Sequence, residues 1–355
     1  MSWRANVRRV EPYVPGEQPG QKGIIKLNTN ENPYPPPPAV TEAICQIRPE
    51  ELRLYPDPDA GALRQALAVY HGLDKEQIFV GVGSDDVLAL AFLTFFHSRK
   101  PVFFPDITYS FYDVWAKLYG ICYETKPLRE DFTIDPADYK GGSGGIVFPN
   151  PNAPTGLLME ADEVEEIVRA NPDVVVIVDE AYIDFGGAEM SALKLIPRYD
   201  NLLVVRTFSK SRSLAGLRIG YALGSEALIG CLQDVKFSFN SYTMNLPSLR
   251  AGVASIQEDV YFRETLEKVI GTREWAKDEL KKLGFECTDS RSNFLFVRHR
   301  QIPAAELFEG LRKSGIYVRY FNKPRIDEYL RISIGTQEEM EALVSCLQSR
   351  LTGQN

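Results

Sequence analysis

Lys210 is the residue whose surroundings first suggest chemistry. It lies between two serines in the segment TFSKSRSLAGLRIG (207–220), directly after an apolar run. A lysine in such a turn is commonly a solvated surface charge. However, Thr207, Ser209 and Arg218 offer two hydroxyls and a guanidinium around the amine, and this set suits a doubly charged phosphate. A hydrolase with a Ser-Lys dyad would instead use Ser209 as its nucleophile.

Two acidic residues, Asp179 and Glu180, follow the apolar run VVVIV (174–178). The pattern is similar to the magnesium-binding strand of a P-loop ATPase. The chain has no GxxxxGK segment followed by Ser or Thr, which disfavours that phosphoryl-transfer machinery. A carboxylate buried at a strand end is costly unless it meets a cation or a protonated nitrogen. We therefore expect a positively charged partner for Asp179.

The segment VGVGSDDVLALAF (80–92) predicts a strand, a glycine turn and a helix that begins at Ser84 or Asp85. The free backbone N–H groups of such a helix start can hold a phosphate. A plain helix cap, with acidic residues that complement the helix dipole, is the alternative. A dinucleotide-binding site is disfavoured, because Asp86 stands where the third glycine of that motif belongs.

Strand-length apolar runs alternate with amphipathic helical windows from residue 61 onward, which predicts a mainly parallel sheet with helical crossovers. In such sheets ligands bind outside the carboxyl ends of the strands. The polar residues that follow each run are therefore expected to meet at one edge. The runs are IFVGVG, KPVFFPD, GGIVFPNP, VVVIVDEAY, LLVVRTFSK and RIGYALG.

Three parts of the chain are predicted from these patterns. Residues 1–40 are rich in Pro, Gly, Asn and charge, and they predict an arm and an access loop. Residues 41–246 carry the alternating pattern and predict the large domain. A long charged amphipathic stretch (247–283), followed by three short apolar runs, predicts a smaller α+β domain over 247–355.

Composition narrows the range of partners. The 355 residues carry a net charge of −8 without a basic patch, so nucleic acid is not expected as a partner. The longest apolar runs are only strand-sized, and no signal segment is evident, which predicts a cytoplasmic protein without membrane spans. The five cysteines are isolated from one another, and the three histidines lack metal-ligand spacing, so neither a metal site nor a histidine triad is expected.

Taken together, these motifs resemble the class II, pyridoxal-phosphate-dependent aminotransferases of fold type I, and among them the histidinol-phosphate aminotransferase family. The resemblance implies a large domain with a mainly parallel sheet flanked by helices, plus a smaller C-terminal α+β domain. Two departures occur: Pro35 follows Tyr34 where the family has glycine, and the helix start reads Ser-Asp-Asp. The motifs run in family order as EPYVPG, LNTNENPY, YPDP, GVGSDD, PNPNAPTG, DEAYIDF, TFSKSRSLAGLRIGY and YLRISIGT.

The resemblance also implies roles for the residues that contact pyridoxal 5'-phosphate. Lys210 would form the internal aldimine and move the proton, and Asp179 would pair with the protonated pyridine nitrogen. Asn152 and Tyr182 would hydrogen-bond the phenolate oxygen, and Tyr109 would stack on the ring. The phosphate would be held by Ser84, Asp85, Thr207, Ser209 and Arg218.

Further roles implied by the resemblance concern the substrate and a second subunit. The enzyme would be a homodimer in which Tyr55 reaches the neighbour's cofactor phosphate and Tyr13 lies on an arm over the neighbour's substrate. Arg319 and Arg331 would form an anion site in the small domain. A structural salt bridge is the competing explanation for either arginine.

The implied reaction is transamination between L-histidinol phosphate and 2-oxoglutarate, which gives imidazole acetol phosphate and L-glutamate with ping-pong kinetics. An aromatic amino-acid transaminase or a threonine-phosphate decarboxylase of the same fold remains an alternative, since specificity rests on contacts worth a few kcal/mol. A non-catalytic binding module is disfavoured, because such a module needs neither Lys210 nor Asp179.

Overall fold

The computed structural model describes residues 2–20 and 23–353. These residues form eleven α-helices: α1 (Pro38–Cys45), α2 (Pro49–Leu52), α3 (Gly61–His71), α4 (Ser84–Phe95), α5 (Tyr112–Tyr119), α6 (Ala161–Ala170), α7 (Glu226–Phe239), α8 (Leu246–Gln257), α9 (Asp259–Lys282), α10 (Ala304–Lys313) and α11 (Gln337–Thr352).

The same described residues form thirteen β-strands in three sheets. They are β1 (Ile25–Lys26), β2 (Ile78–Gly81), β3 (Val102–Pro105), β4 (Tyr123–Lys126), β5 (Gly145–Pro149), β6 (Val176–Asp179), β7 (Leu202–Thr207), β8 (Gly220–Leu223), β9 (Phe285–Cys287), β10 (Phe294–His299), β11 (Ile316–Tyr317), β12 (Arg319–Tyr320) and β13 (Leu330–Ser333).

The largest sheet has seven strands in the order β2-β8-β7-β6-β5-β3-β4. Strands β3 to β7 run parallel, and β8 lies antiparallel between β7 and β2. The mainly parallel sheet predicted from the sequence is thus confirmed, and each of the six apolar runs contains one strand. Strand β4 was not predicted, because its sequence YETK is polar and lies at the sheet edge.

Alternate residues of the central strands enter two separate cores. Val176, Val178 and Val204 pack in one core, whereas Ile177 and Leu203 pack in the other. Successive side chains of a strand point to opposite faces, so a strand that is covered on both faces must be apolar throughout. This explains why β6 and β7 have continuous rather than alternating apolar sequences.

A four-stranded antiparallel sheet in the order β12-β13-β10-β9 forms the centre of the smaller lobe. Its core also contains Leu27, which is 1% exposed, because β1 pairs in parallel with β11. The backbone N–H of Ser333 donates to the carbonyl of Leu27 at 2.9 Å. The N-terminal segment therefore crosses from the small lobe to the large one.

The long amphipathic stretch predicted over 247–283 divides into α8 and α9 at Glu258. Helix α8 packs against α1 and α3, and its Leu249 and Ala251 lie in the core of the large lobe. The domain boundary at residue 247 stays a prediction, and this packing favours a boundary nearer residue 258. None of the helices in the described part of the chain is long and apolar enough to cross a membrane.

Candidate active site

A cavity opens at the carboxyl ends of β5, β6 and β7, where the helix α4 also begins. Parallel strands end at the same edge, and this topology brings together residues that are far apart in sequence. Predicted cofactor contacts from four separate segments line the cavity. Its lining comprises Ser84, Asp85, Tyr109, Pro149, Ala153, Asp179, Ala181, Tyr182, Thr207, Ser209, Lys210 and Arg218.

Asp179 ends β6 and is only 5% exposed. Its carboxylate accepts hydrogen bonds from the hydroxyl of Tyr112 at 3.0 Å and from the backbone N–H of Ala181 at 3.3 Å. Burial raises the pKa of Asp179 to about 7, although the Tyr112 hydrogen bond opposes this shift. The site therefore favours a ligand that brings a positive charge or a proton to this carboxylate.

The start of helix α4 forms a cradle of backbone amides. Gly83 precedes the helix with φ of +86°, and the first amides of a helix have no intrahelical acceptor. A Cβ atom at Gly220 would lie 2.2 Å from Ser84 N, so only glycine lets β8 approach this turn. The free amides and the helix dipole make the turn suitable for an anion.

Arg218 lies beside this turn with φ of +52°. Its Nη2 lies 3.2 Å from a carboxylate oxygen of Asp85, and its Nη1 lies 3.5 Å from the hydroxyl of Ser209. The backbone N–H of Ser209 donates to the hydroxyl of Thr207 at 3.1 Å. The hydroxyls and the guanidinium thus lie next to the helix start, as a phosphate site requires.

Lys210 is half-buried in the loop between β7 and β8. Its Nζ donates to the carbonyl of Thr29 at 3.2 Å and lies 5.7 Å from the ring centre of Tyr182. The side-chain amide of Asn32 donates to the carbonyls of Lys210 and Ser211, at 3.1 and 3.2 Å. The amine is therefore held at the cavity by the N-terminal segment.

Arg319 and Arg331 are directly opposite one another on β12 and β13. One Arg331 Nη donates to the carbonyl of Asn28 at 3.0 Å, while its Nε is buried without a hydrogen-bond partner in the described structure. Burial lowers the pKa of Arg331, and the neighbouring Arg319 acts in the same direction. Within residues 2–20 and 23–353, neither arginine has a carboxylate within 4.0 Å, so a structural salt bridge does not explain them.

The sequence matches known proteins along nearly its whole length. The family profile described as aminotransferase class I and II matches residues 22–347. The chain belongs to the class I and II aminotransferase family. It is 52% identical over 353 residues to histidinol-phosphate aminotransferase 1 of Hydrogenovibrio crunogenus, covering 99% of each chain. It is also 52% identical over 339 residues to histidinol-phosphate aminotransferase of Clostridium botulinum strain Okra, covering 96% of this chain and 95% of the relative.

A solved structure adds to this comparison at the level of the fold. The histidinol-phosphate aminotransferase of Sinorhizobium meliloti, solved with pyridoxal-5'-phosphate, superposes with a TM-score of 0.84. It shares 24% sequence identity and covers 93% of this chain and 92% of its own. The predicted fold class, with its large mainly parallel domain and smaller α+β domain, is thereby confirmed.

Pyridoxal 5'-phosphate is the cofactor of this aminotransferase family, and the cavity fits it. The buried Asp179 favours a protonated ring nitrogen, the helix start at Ser84 favours the phosphate, and Lys210 supplies an amine. Among the described residues, no group of His, Cys, Asp or Glu side chains has an arrangement that could hold a metal ion.

Asn152 was predicted to contact the cofactor ring but does not line the cavity. It is 2% exposed, and its side-chain amide donates to the carbonyl of Ile107 at 3.0 Å and to Thr155 Oγ1 at 3.1 Å. Its carbonyl oxygen accepts from Thr108 at 3.1 Å. In this chain Asn152 fixes the loop beside Tyr109, and its contact with the ring stays a prediction.

The two tyrosines predicted to reach a second subunit lie in different surroundings. Tyr13 stacks on Phe111 of its own chain with ring centres 4.2 Å apart, and it lines a second cavity together with Arg319. Tyr55 is 81% exposed and stacks on Tyr242 with ring centres 4.5 Å apart. The role of either residue in a partner's site stays a prediction.

Some functional residues had no role in the sequence analysis. Tyr112 is completely buried against Asp179, and its hydroxyl points at the carboxylate rather than at solvent. Its spacing gave no clear signal, because Tyr112 begins α5 and an ordinary amphipathic helix has the same pattern. The carbonyl of Pro35 accepts from the hydroxyl of Tyr261 at 2.8 Å, which ties the access loop to α9.

The raised pKa of Asp179 predicts how stability depends on pH. Between about pH 4 and about pH 7, the folded cofactor-free protein keeps a proton on Asp179 that the unfolded chain has released. The free energy of unfolding therefore falls as the pH rises through this window, by up to about 4 kcal/mol. Replacing Asp179 with Asn removes this pH dependence. Urea unfolding should therefore show that the stability of the variant relative to the wild type increases as the pH rises to about 7.

Tyr112→Phe serves as the matched variant, because it removes a hydrogen bond that stabilises the charged carboxylate. It should raise the pKa of Asp179 further and extend the fall in stability to higher pH. If the free energy of unfolding changed with pH in the same way for the wild type and Asp179→Asn, the raised pKa of Asp179 would be contradicted.

Proposed function

We propose that this aminotransferase exchanges the amino group between L-histidinol phosphate and 2-oxoglutarate, giving imidazole acetol phosphate and L-glutamate. Relatives that are 52% identical over nearly the full chain carry the name histidinol-phosphate aminotransferase. The observation that supports the substrate most strongly is the pair Arg319 and Arg331. The two residues lie directly opposite one another on β12 and β13, and neither has a carboxylate within 4.0 Å among the described residues.

The cofactor, when bound, supplies an aldehyde that takes up an amino group and a ring that withdraws electrons from the neighbouring carbon. Lys210 would hold this group through a covalent bond from its Nζ. The same Nζ would serve as the base and acid that carries the proton of the reaction. Its hydrogen bond to the carbonyl of Thr29 supports this role, because it fixes the position of Nζ at the cavity.

Asp179, Tyr182 and Tyr109 would position and tune the ring. Asp179 would hold the ring nitrogen in its protonated form, which strengthens the electron withdrawal that the cofactor supplies. Tyr182 would donate to the phenolate oxygen, whereas the side-chain amide of Asn152 donates to Ile107 and Thr155, so that its contact with the ring stays a prediction. Tyr109 covers one face of the ring, and the hydrogen bond from its hydroxyl to Asp85 at 2.7 Å supports a fixed orientation.

The two substrates differ in the anion that they carry next to the carbon that bears the amino group. Glutamate carries an α-carboxylate, whereas histidinol phosphate carries a phosphomonoester at the corresponding position. A pair of planar guanidinium groups can bind either anion in a bidentate manner. Arg331 also interacts electrostatically with Tyr182, Tyr109 and Tyr13, which supports a position beside the reacting atoms.

The two substrates therefore use one site in turn, and ping-pong kinetics follow. A second cavity of about 600 Å³ supports an access route to that site. Thr108 and Pro154 line this second cavity and adjoin Tyr109 and Ala153 of the first.

Single-turnover measurements of each half-reaction test this proposal. Arg331→Ala should slow both half-reactions by roughly 10- to 100-fold, because it removes charge-assisted hydrogen bonds to either anion. Arg319→Ala and Tyr13→Phe should impair the reaction of histidinol phosphate more than that of glutamate.

Equal losses for both substrates in the Arg319 and Tyr13 variants would argue for a general structural role. Much faster turnover of phenylalanine than of histidinol phosphate would favour an aromatic amino-acid transaminase. Release of carbon dioxide from threonine phosphate would instead favour the decarboxylase.

The proposal includes a homodimer with shared active sites. Tyr55 is 81% exposed and Phe239 is 70% exposed, and Tyr55 stacks on the half-exposed Tyr242. Exposed aromatic rings grouped in this way are typical of an interface. Tyr55 would reach the cofactor phosphate of the neighbouring subunit across this surface.

Mixing Tyr55→Phe protein with Lys210→Ala protein tests whether the sites are shared. If they are, each mixed dimer has one site with both lesions and one site with neither, so activity should be regained. Differently tagged subunits confirm that exchange has occurred, and each variant alone is the control. Subunit exchange without any recovered activity would contradict shared sites.

A further inference from the structure

The hydroxyl of Tyr182 has an unusual hydrogen-bond environment. It accepts a hydrogen bond from Nδ2 of Asn30 at 3.0 Å, and it donates to no residue in the described part of the chain. Tyr182 is 9% exposed and lines the cofactor cavity. A phenolic hydroxyl has one hydrogen, so the acceptor role toward Asn30 leaves that hydrogen for a group in the cavity.

The direction of this hydrogen bond is fixed by Ser333. The backbone N–H of Asn30 donates to Ser333 Oγ at 2.8 Å, and the Ser333 hydroxyl donates back to Asn30 Oδ1 at 2.8 Å. Turning the Asn30 amide around would leave the Ser333 hydrogen without an acceptor. Asn30 and Ser333 are 1% and 2% exposed, where an unsatisfied polar group is costly. Only one amide orientation therefore satisfies every group.

Asn30 is itself held in place. Its φ of +58° lies in the left-handed region, which asparagine tolerates better than most residues. Its carbonyl accepts from the side-chain amide of Asn293 at 3.0 Å. The neighbouring carbonyl of Thr29 accepts from Lys210 Nζ. One short segment thus contacts both the amine and the tyrosine of the site.

We propose that Asn30, oriented by Ser333, is a positioning residue that fixes the Tyr182 hydroxyl as a hydrogen-bond donor to the phenolate oxygen of the cofactor. This rests on the proposed function, in which Tyr182 contacts that oxygen. Asn30 and Ser333 are neutral at all working pH values. The titratable and charged groups that interact with Tyr182 are Lys210, Arg331, Tyr109 and Tyr112.

The test uses the visible absorbance of the holoenzyme, titrated with pH, which reports the pKa of the lysine nitrogen in the linkage between Lys210 and the cofactor. A donor to the phenolate oxygen stabilises its negative charge and so lowers the proton affinity of the adjacent nitrogen. Tyr182→Phe should therefore raise this pKa by about one unit. Asn30→Asp should raise it at least as far, because a carboxylate would accept the Tyr182 hydrogen.

Asn30→Gly removes the group that orients the Tyr182 hydroxyl without adding the negative charge of Asn30→Asp. Glycine adopts the positive φ without strain, and the variant removes only the amide. A smaller rise in the same direction is expected. Asn28→Ala is the matched control, because Asn28 lies in the same segment, is 2% exposed, and donates its amide to the carbonyl of Glu17 at 2.8 Å rather than to Tyr182. It should lower the melting temperature and leave the absorbance titration unchanged.

The possible results are distinct. If Tyr182→Phe shifts the titration while both Asn30 variants match the wild type, the role of Asn30 is overturned and the proposed function stands. Equal shifts of the absorbance titration in Asn30→Gly and Asn28→Ala would also overturn the role of Asn30, since a general destabilisation of the segment would then explain both shifts. If Tyr182→Phe itself causes no shift, the contact between Tyr182 and the cofactor fails, and this inference fails with it.

Discussion

The burial of one carboxylate, Asp179, is the constraint on which the rest of the site depends. A carboxylate at the end of an apolar strand is stable in its charged form only if something positive reaches it. Within the described residues its direct partners are the hydroxyl of Tyr112 and the N–H of Ala181, which are neutral donors. The burial of this carboxylate therefore has an unfavourable free energy in the charged form, which a protonated pyridine nitrogen would offset. Binding of the cofactor would therefore stabilise the folded site.

The sheet topology explains how one bound molecule can reach so many segments. The strands β5, β6 and β7 end at the same edge, and the reversed strand β8 brings Gly220 against the start of α4. The amine, the carboxylate and the amide cradle thus lie around a single cavity. The N-terminal segment links the small lobe to residues of this cavity, because β1 pairs with β11 while the residues after it contact Lys210 and Tyr182.

Local sequence patterns predicted the sheet and the residues at its strand ends, because continuous apolar runs and glycine turns depend on residues that are close together in the sequence. They could not predict that Tyr112 turns inward to Asp179, since its sequence context is that of an ordinary amphipathic helix. The pairing of Asn30 with Ser333 spans 303 residues and leaves no periodic signal. The polar strand β4 was missed for a related reason, because sheet edges lack the apolar pattern that marks central strands.

A cofactor analogue in which the ring nitrogen is replaced by a C–H group tests whether Asp179 binds that nitrogen. Its dissociation constant, and that of pyridoxal 5'-phosphate, can be measured by fluorescence titration of the wild type and of Asp179→Asn. We expect the loss of the ring nitrogen to weaken cofactor binding to the wild type by roughly 10- to 100-fold. It should weaken binding to Asp179→Asn far less, because the two changes remove the same interaction. Equal losses in both proteins would show that Asp179 does not bind the ring nitrogen.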